Sequence, residues 1–258
     1  MKKSTAVMPS MGKLNKNKVA VSYQLSIAET LAEAFKRIHG VKMVYIKAIA
    51  WIIAVNIVLS IILSILSASL GRYIVDSWFI ISWLVNAPLF VGIKYLGVRR
   101  SVDLPIEGDT IFKMYHFFWR IIGVRVLIAL LSYSFAFSTG IAIGSANFFY
   151  QTGSSLWLVA SMYVLSVIAV IFVFYFSYCF MFASLLVVEK KLTILSAMKT
   201  SMLAFNQHWF RIIIIFVIMG LLLLISVIPL LIPLIWTMPM YSNAIGIIYR
   251  TAFGVKDN

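Results

Sequence analysis

The sequence predicts an all-α protein: a polytopic helical membrane bundle of about six transmembrane helices, with three amphipathic helices at the cytoplasmic interface. Three observations predict it. The residues are 62% hydrophobic and 12% charged, with a mean hydropathy of +1.01, whereas roughly a quarter of a soluble domain is charged. The apolar residues fall in runs of about 20 or more, the length a helix needs to cross the hydrocarbon layer. Finally, every Lys and Arg except Arg72 falls on one side of the resulting scheme. Such a bias assigns that side, and both termini, to the cytoplasm.

The formal charge of +14 raises nucleic-acid binding as an alternative. Placement excludes it, because the basic residues lie between apolar runs and not along one soluble face. Cys179 is the single cysteine and sits inside an apolar run, which excludes a disulfide framework or thiolate cluster. Met1-Lys2-Lys3 opens like a secretory signal, but residues 6–18 are polar and basic, so no cleaved signal is expected.

Residues 1–25 read as a basic cytoplasmic tail and residues 26–258 as one integral membrane domain. Ser26 and Glu29 form an S-x-x-E capping box. Ile27, Leu31, Phe35 and Ile38 follow at helical spacing, so Ser26–His39 is the first interfacial helix. The first span is 48–70. Residues 71–77 make a short turn, and the second span is 78–96, with Lys94 able to snorkel inward. A charged loop leads to the second interfacial segment, Ile111–Arg120. The third span is 121–143.

The fourth run, 156–188, exceeds one span, so it tilts strongly or continues beyond the bilayer. Leu192, Leu195, Met198, Met202, Phe205 and Trp209 then form a stripe, the third interfacial helix. Residues 212–249 carry no charge. With Pro229 and Pro233 as breakers, they suit two spans, 212–228 and 230–249, joined by a tight outer hairpin. The three interfacial segments each precede an apolar hairpin, with Phe35, Phe118 and Phe205 in similar places.

No nucleotide, zinc-protease or serine-hydrolase motif is present, and the span interiors contain no Asp, Glu or His. That lowers proton-coupled transport as a class. The deep polar residues are Asn56, Asn86 and Asn243. Each would bond between helices or line a solute pathway. Ala136, Gly140 and Gly144, spaced by four, make a small-xxx-small face for helix packing. His116 and His208, with Glu107 or Asp109, are the residues a metal or acid–base site would need, but nothing fixes their relative positions. No catalytic, cofactor or metal site is expected.

The C-terminal third reads Leu195-Ser196-Ala197-Met198-Lys199-Thr200-Ser201, then Phe205-Asn206-Gln207-His208-Trp209, a Pro-broken double span, and Ile248-Tyr249-Arg250-Thr251-Ala252-Phe253-Gly254. With Asn86-Ala87-Pro88-Leu89-Phe90-Val91-Gly92-Ile93, it resembles uncharacterised bacterial inner-membrane families. These are the BPSS1780-like or DUF2189-like group and, more distantly, DUF975-like proteins. The resemblance covers about half of the chain and departs at Asn206-Gln207-His208-Trp209, where the families carry a compact Asn-Trp pair. It implies a bacterial inner membrane and six spans, and no activity.

The expectation for function is a non-enzymatic scaffold or a component of an envelope complex. The alternative is a carrier or channel for a neutral or lipidic solute. The expected partners are the lipid bilayer, anionic lipids through the basic tail at about 1 kcal/mol per residue, and other membrane proteins.

Overall fold

The computed structural model describes residues 23–70, 72–153, 155–227 and 233–255. Most of the basic tail, the Gly71 turn, the Pro229 break and Lys256 lie outside the described residues.

Among the described residues all regular structure is helical. Ser26 caps α1 (Ile27–Lys36): its hydroxyl accepts from the Glu29 N–H at 3.4 Å, as the capping box predicts. Next come α2 (Lys42–Leu70) and α3 (Arg72–Ser101). A 310 helix over Gly108–Phe117 leads into α4 (Phe118–Gln151), so the Ile111–Arg120 segment is not one helix. Then follow α5 (Leu156–Cys179), α6 (Ala183–Glu189), α7 (Ile194–Gln207), α8 (Trp209–Val227) and α9 (Leu234–Phe253).

Five segments are long and apolar enough to cross a membrane: Lys42–Ser67, Trp78–Ser101, Gly108–Gln151, Leu156–Glu189 and Trp209–Ser226. The α9 helix is not among them, because Thr237, Pro239, Ser242, Asn243 and Arg250 dilute its apolar character.

The long run 156–188 breaks instead of continuing straight. The Phe180 N–H bonds back to Phe176 and that of Met181 to Tyr178. This tightened turn carries Phe182, Ala183, Leu185 and Leu186 into the core, all nearly fully buried. Burial of that apolar end, worth about 25 cal/mol per Å2 removed from solvent, favours the bend.

The core is lopsided. Helix ends bearing the charged loops meet in one dense cluster that includes Val98, Ile121, Val124, Phe182, Phe205, Ile212, Ile215 and Ile245. A second cluster joins Val41, just before α2, and Tyr45 and Ala48 of α2 to Leu89, Ile93 and Leu96 of α3 and to Ile111. At the opposite end the side chains of α2, α4 and α5 are largely exposed, among them Ile65, Phe137, Phe148 and Leu165. The α4 and α5 helices pack chiefly on each other, with Phe135 stacked on Phe172 at 5.3 Å. Their other neighbours are α3, α6, α7 and the 310 helix, at the charged end. An apolar surface this extensive needs lipid or protein to cover it.

Candidate functional site

Asn56 and Asn86 face each other across α2 and α3. Each side-chain amide donates to the carbonyl of the other at 2.9 Å. Each also donates to a backbone carbonyl one turn earlier, that of Ile52 at 2.7 Å and that of Ser82 at 2.8 Å. The pair is therefore a closed amide clasp. Single Asn56→Leu and Asn86→Leu substitutions and the double variant, compared by melting in bicelles, should give a coupling of about 0.5–1.5 kcal/mol. Strictly additive losses would mean the clasp contributes nothing.

Asn243 lies elsewhere, on α9, and is 0% exposed. Its carbonyl accepts from the Tyr45 hydroxyl at 3.3 Å, and its amide donates to the Ala34 carbonyl at 3.4 Å. It thus ties α9 to α2 and α1, and the three Asn do not converge on one cavity. Two surface hollows lie away from them. One, of about 690 Å3, is bounded by residues 24–27, Glu29 and Arg211. The other, of about 360 Å3, is bounded by Arg120 and residues 191–195.

Ala136, Gly140 and Gly144 are exposed on α4. A Cβ added at Gly140 or Gly144 would meet nothing within 4 Å. This face therefore packs on no described helix of the chain. The close crossing lies instead between α3 and α9. A Cβ at Gly97 would stand 1.9 Å from the Ser242 carbonyl oxygen, and one at Gly246 would stand 2.0 Å from the Gly97 carbonyl oxygen. The Ser242 hydroxyl donates to the Ile93 carbonyl at 2.6 Å in the same contact. Ser242 and Gly246 are themselves a small-xxx-small pair, the signal that would have found the crossing.

The charged loops are tied by a network around Glu33. Arg250 reaches both its carboxylate oxygens at 2.9 Å, and the Arg37 Nε donates to it at 2.7 Å. Arg37 also pairs with Asp103 at 2.8 Å and donates to the Arg100 carbonyl at 2.6 Å. Arg100 returns bonds to the carbonyls of Arg37 and His39. Arg250 donates to the Ser101 carbonyl as well. Burial alone would raise the Glu33 carboxyl, but the two guanidinium groups outweigh it and hold it below the ordinary carboxylate range.

The remaining candidates are dispersed. His208 contacts the Tyr23 carbonyl, and Tyr23 donates to the Ala204 carbonyl at 2.9 Å, its hydroxyl pushed up to about 12 by burial. Asp109 accepts from Lys47 and from the Trp51 indole, each at 2.6 Å. His116 packs edge-on against Phe117. Among the described residues no three His, Cys, Asp or Glu gather as a metal site would need.

No protein-family model, curated protein or solved structure matches this chain.

The α7 helix matches the expected stripe in part, with Met198, Met202 and Phe205, and Leu192 just before it, packed on the core. Its packed face is Ala197, Met198, Ser201, Ala204 and Phe205, whereas Leu195 of the expected stripe is 73% exposed. Ser201 donates to the Cys179 carbonyl at 2.6 Å, so small residues let α7 sit tightly on the end of α5. The three Phe of the apparent repeat are not equivalent either. Phe205 is fully buried, and Phe35 is exposed.

Proposed function

We propose that the protein is a non-enzymatic scaffold, or a component of an envelope complex, in a bacterial inner membrane. In this reading it spans the membrane six times, with α9 as the sixth span. Both termini are cytoplasmic in this reading, on the strength of the one-sided distribution of Lys and Arg. The α1 helix, the 310 helix and α7 form the interfacial layer. Its partners are lipid, including anionic lipid at the basic tail, and other membrane proteins.

One observation carries the choice over a transporter: all three deep Asn are spent on bonds between helices. A solute pathway needs polar groups free to exchange their partners for solute. The long uncovered flank of α4 and α5 is the kind of surface a membrane complex covers.

Two measurements test the reading. Purified in mild detergent, the protein should copurify with a fixed stoichiometry of a second membrane protein, and in liposomes it should give no saturable solute flux. Saturable flux abolished by Asn243→Ala with folding intact would overturn it. For topology, reporters fused after Asn147 should read periplasmic, and those after Asp103, Lys191 and Asn258 cytoplasmic. A periplasmic reading after Asn258 would mean that residues 212–249 cross once.

A further inference from the structure

The start of α4 and the start of α7 enclose the hollow of about 360 Å3 bounded by Arg120 and residues 191–195. That volume falls within the roughly 300–1,000 Å3 of small-molecule sites. Its two sides are fixed to each other. A Cβ added at Gly123 of α4 would stand 2.5 Å from Cδ1 of Ile194, and Leu192 and Ile194 pack on the core beneath.

Two cations line the hollow, and no carboxylate does. Arg120 and Lys191 are both exposed. Neither forms a hydrogen bond or an ion pair with any described residue. Glu189, two positions before Lys191, is 7% exposed and is held by Lys190 and the Tyr249 hydroxyl. The start of α7 adds donors. The Thr193 side chain makes no capping bond. The Ala197 N–H donates to the Thr193 carbonyl at 2.8 Å, and the N–H groups of residues 194–196 donate to no described residue, as the opening turn of a helix leaves them. Such groups favour an anion, and Arg120 and Lys191 supply the charge to hold it. Arg meets phosphate as a planar fork and Lys as a point charge.

The apolar groups at the rim select the kind of anion. Leu195, which lines the hollow, and Trp119, next to Arg120, are both largely exposed. A soluble phosphate leaves both uncovered, whereas the glycerol and acyl chains of a phospholipid cover them, and an exposed Trp of this kind suits the membrane boundary. Basic pockets at the cytoplasmic ends of spanning helices take anionic headgroups.

We propose that the hollow between α4 and α7 binds the phosphate of an anionic phospholipid, with Arg120 and Lys191 as its cations. This site is separate from the basic tail. It rests on α4 spanning the membrane and not on the scaffold reading. The full chain is reconstituted in nanodiscs of phosphatidylcholine with or without phosphatidylglycerol. Lipid retained after release is counted by native mass spectrometry, and the melting midpoint is recorded in both. Wild type should retain phosphatidylglycerol and melt higher when it is present. Arg120→Gln and Lys191→Gln should each weaken that retention by about tenfold, the factor for one lost charge-assisted bond. Both side chains are exposed, so in phosphatidylcholine alone these variants should melt as wild type does. Thr193→Asp caps α7 better but fills its free donors and repels phosphate. It should melt no lower in phosphatidylcholine and still lose the retention. Arg120→Lys and Lys191→Arg should keep it, as should Lys199→Gln, an exposed cation elsewhere on α7. Undiminished retention in Arg120→Gln, Lys191→Gln or Thr193→Asp would overturn the proposal, as would an equal loss in Lys199→Gln. If inorganic phosphate in phosphatidylcholine nanodiscs raised the midpoint as much as phosphatidylglycerol does, the site would be one for a soluble anion, which overturns the lipid assignment.

Discussion

Valine at Gly97 or at Gly246 is expected to abolish folded protein in the membrane. The two glycines let α3 and α9 touch backbone to backbone, and each added Cβ would fall about 2 Å from a carbonyl oxygen of the facing helix. Backbone cannot swing aside as a side chain can, so the helices must part. Overpacking in an ordinary core costs about 1–3 kcal/mol, and this site lies at or above the upper end of that range. Separation would also break the Ser242 bond to Ile93 and strand Asn243. The measurement is membrane yield and melting midpoint after mild extraction. Gly140→Val and Gly144→Val meet open space and should change stability by about 0.5 kcal/mol or less. Equal tolerance at all four positions would refute the α3–α9 contact.

Replacing Glu33 with Gln should cost about 1–2 kcal/mol, the range for hydrogen bonds to a charged group, discounted because Glu33 and Arg250 are each about a third exposed. The variant leaves Arg37 and Arg250 without their shared carboxylate, loosening α1 from α9. The pH dependence has a definite sign. The folded carboxyl titrates below its ordinary value of 4.5, so on acidification the unfolded chain takes up the proton first. The stabilisation is complete above the ordinary value and is lost as pH falls through the folded one. Wild type should therefore melt above Glu33→Gln at neutral pH, and the gap should close in the acid range below about 4.5. A gap that persisted into strong acid would show that packing, not charge, holds α1 in place.

Helical class and membrane character were legible because they depend on composition and on the length of apolar runs, both properties of the chain alone. The α1 start was legible because a capping box is local: Ser26 and Glu29 meet within one turn. The Asn residues were legible as bonding groups but not as partners. Asn56 and Asn86 are 30 residues apart, and Asn243 bonds to residues about 200 positions away. The small-residue face was misplaced for the same reason. Ala136, Gly140 and Gly144 and the pair Ser242 and Gly246 share one spacing, and only the partner helix tells them apart. The apolar stripe was legible in part: Leu192, Met198, Met202 and Phe205 do pack against the core, whereas Leu195 and Trp209 are exposed and the small residues Ala197, Ser201 and Ala204 of the packed face carry no apolar signal of their own.

The attachment of α4 and α5 at one end has a mechanical consequence. The α5 helix is 24 residues long, or roughly 36 Å, and such a rod pivoting at its base by about 5° moves its tip by about 3 Å. The pivot lies where Gly123 of α4 meets the Ile194 side chain and where the turn at 180–182 enters the core. By this geometry a small tilt at the base is magnified several-fold at the far end of the helix. The exposed Phe148 lies near the far end of α4, where a tilt at the base moves a side chain most.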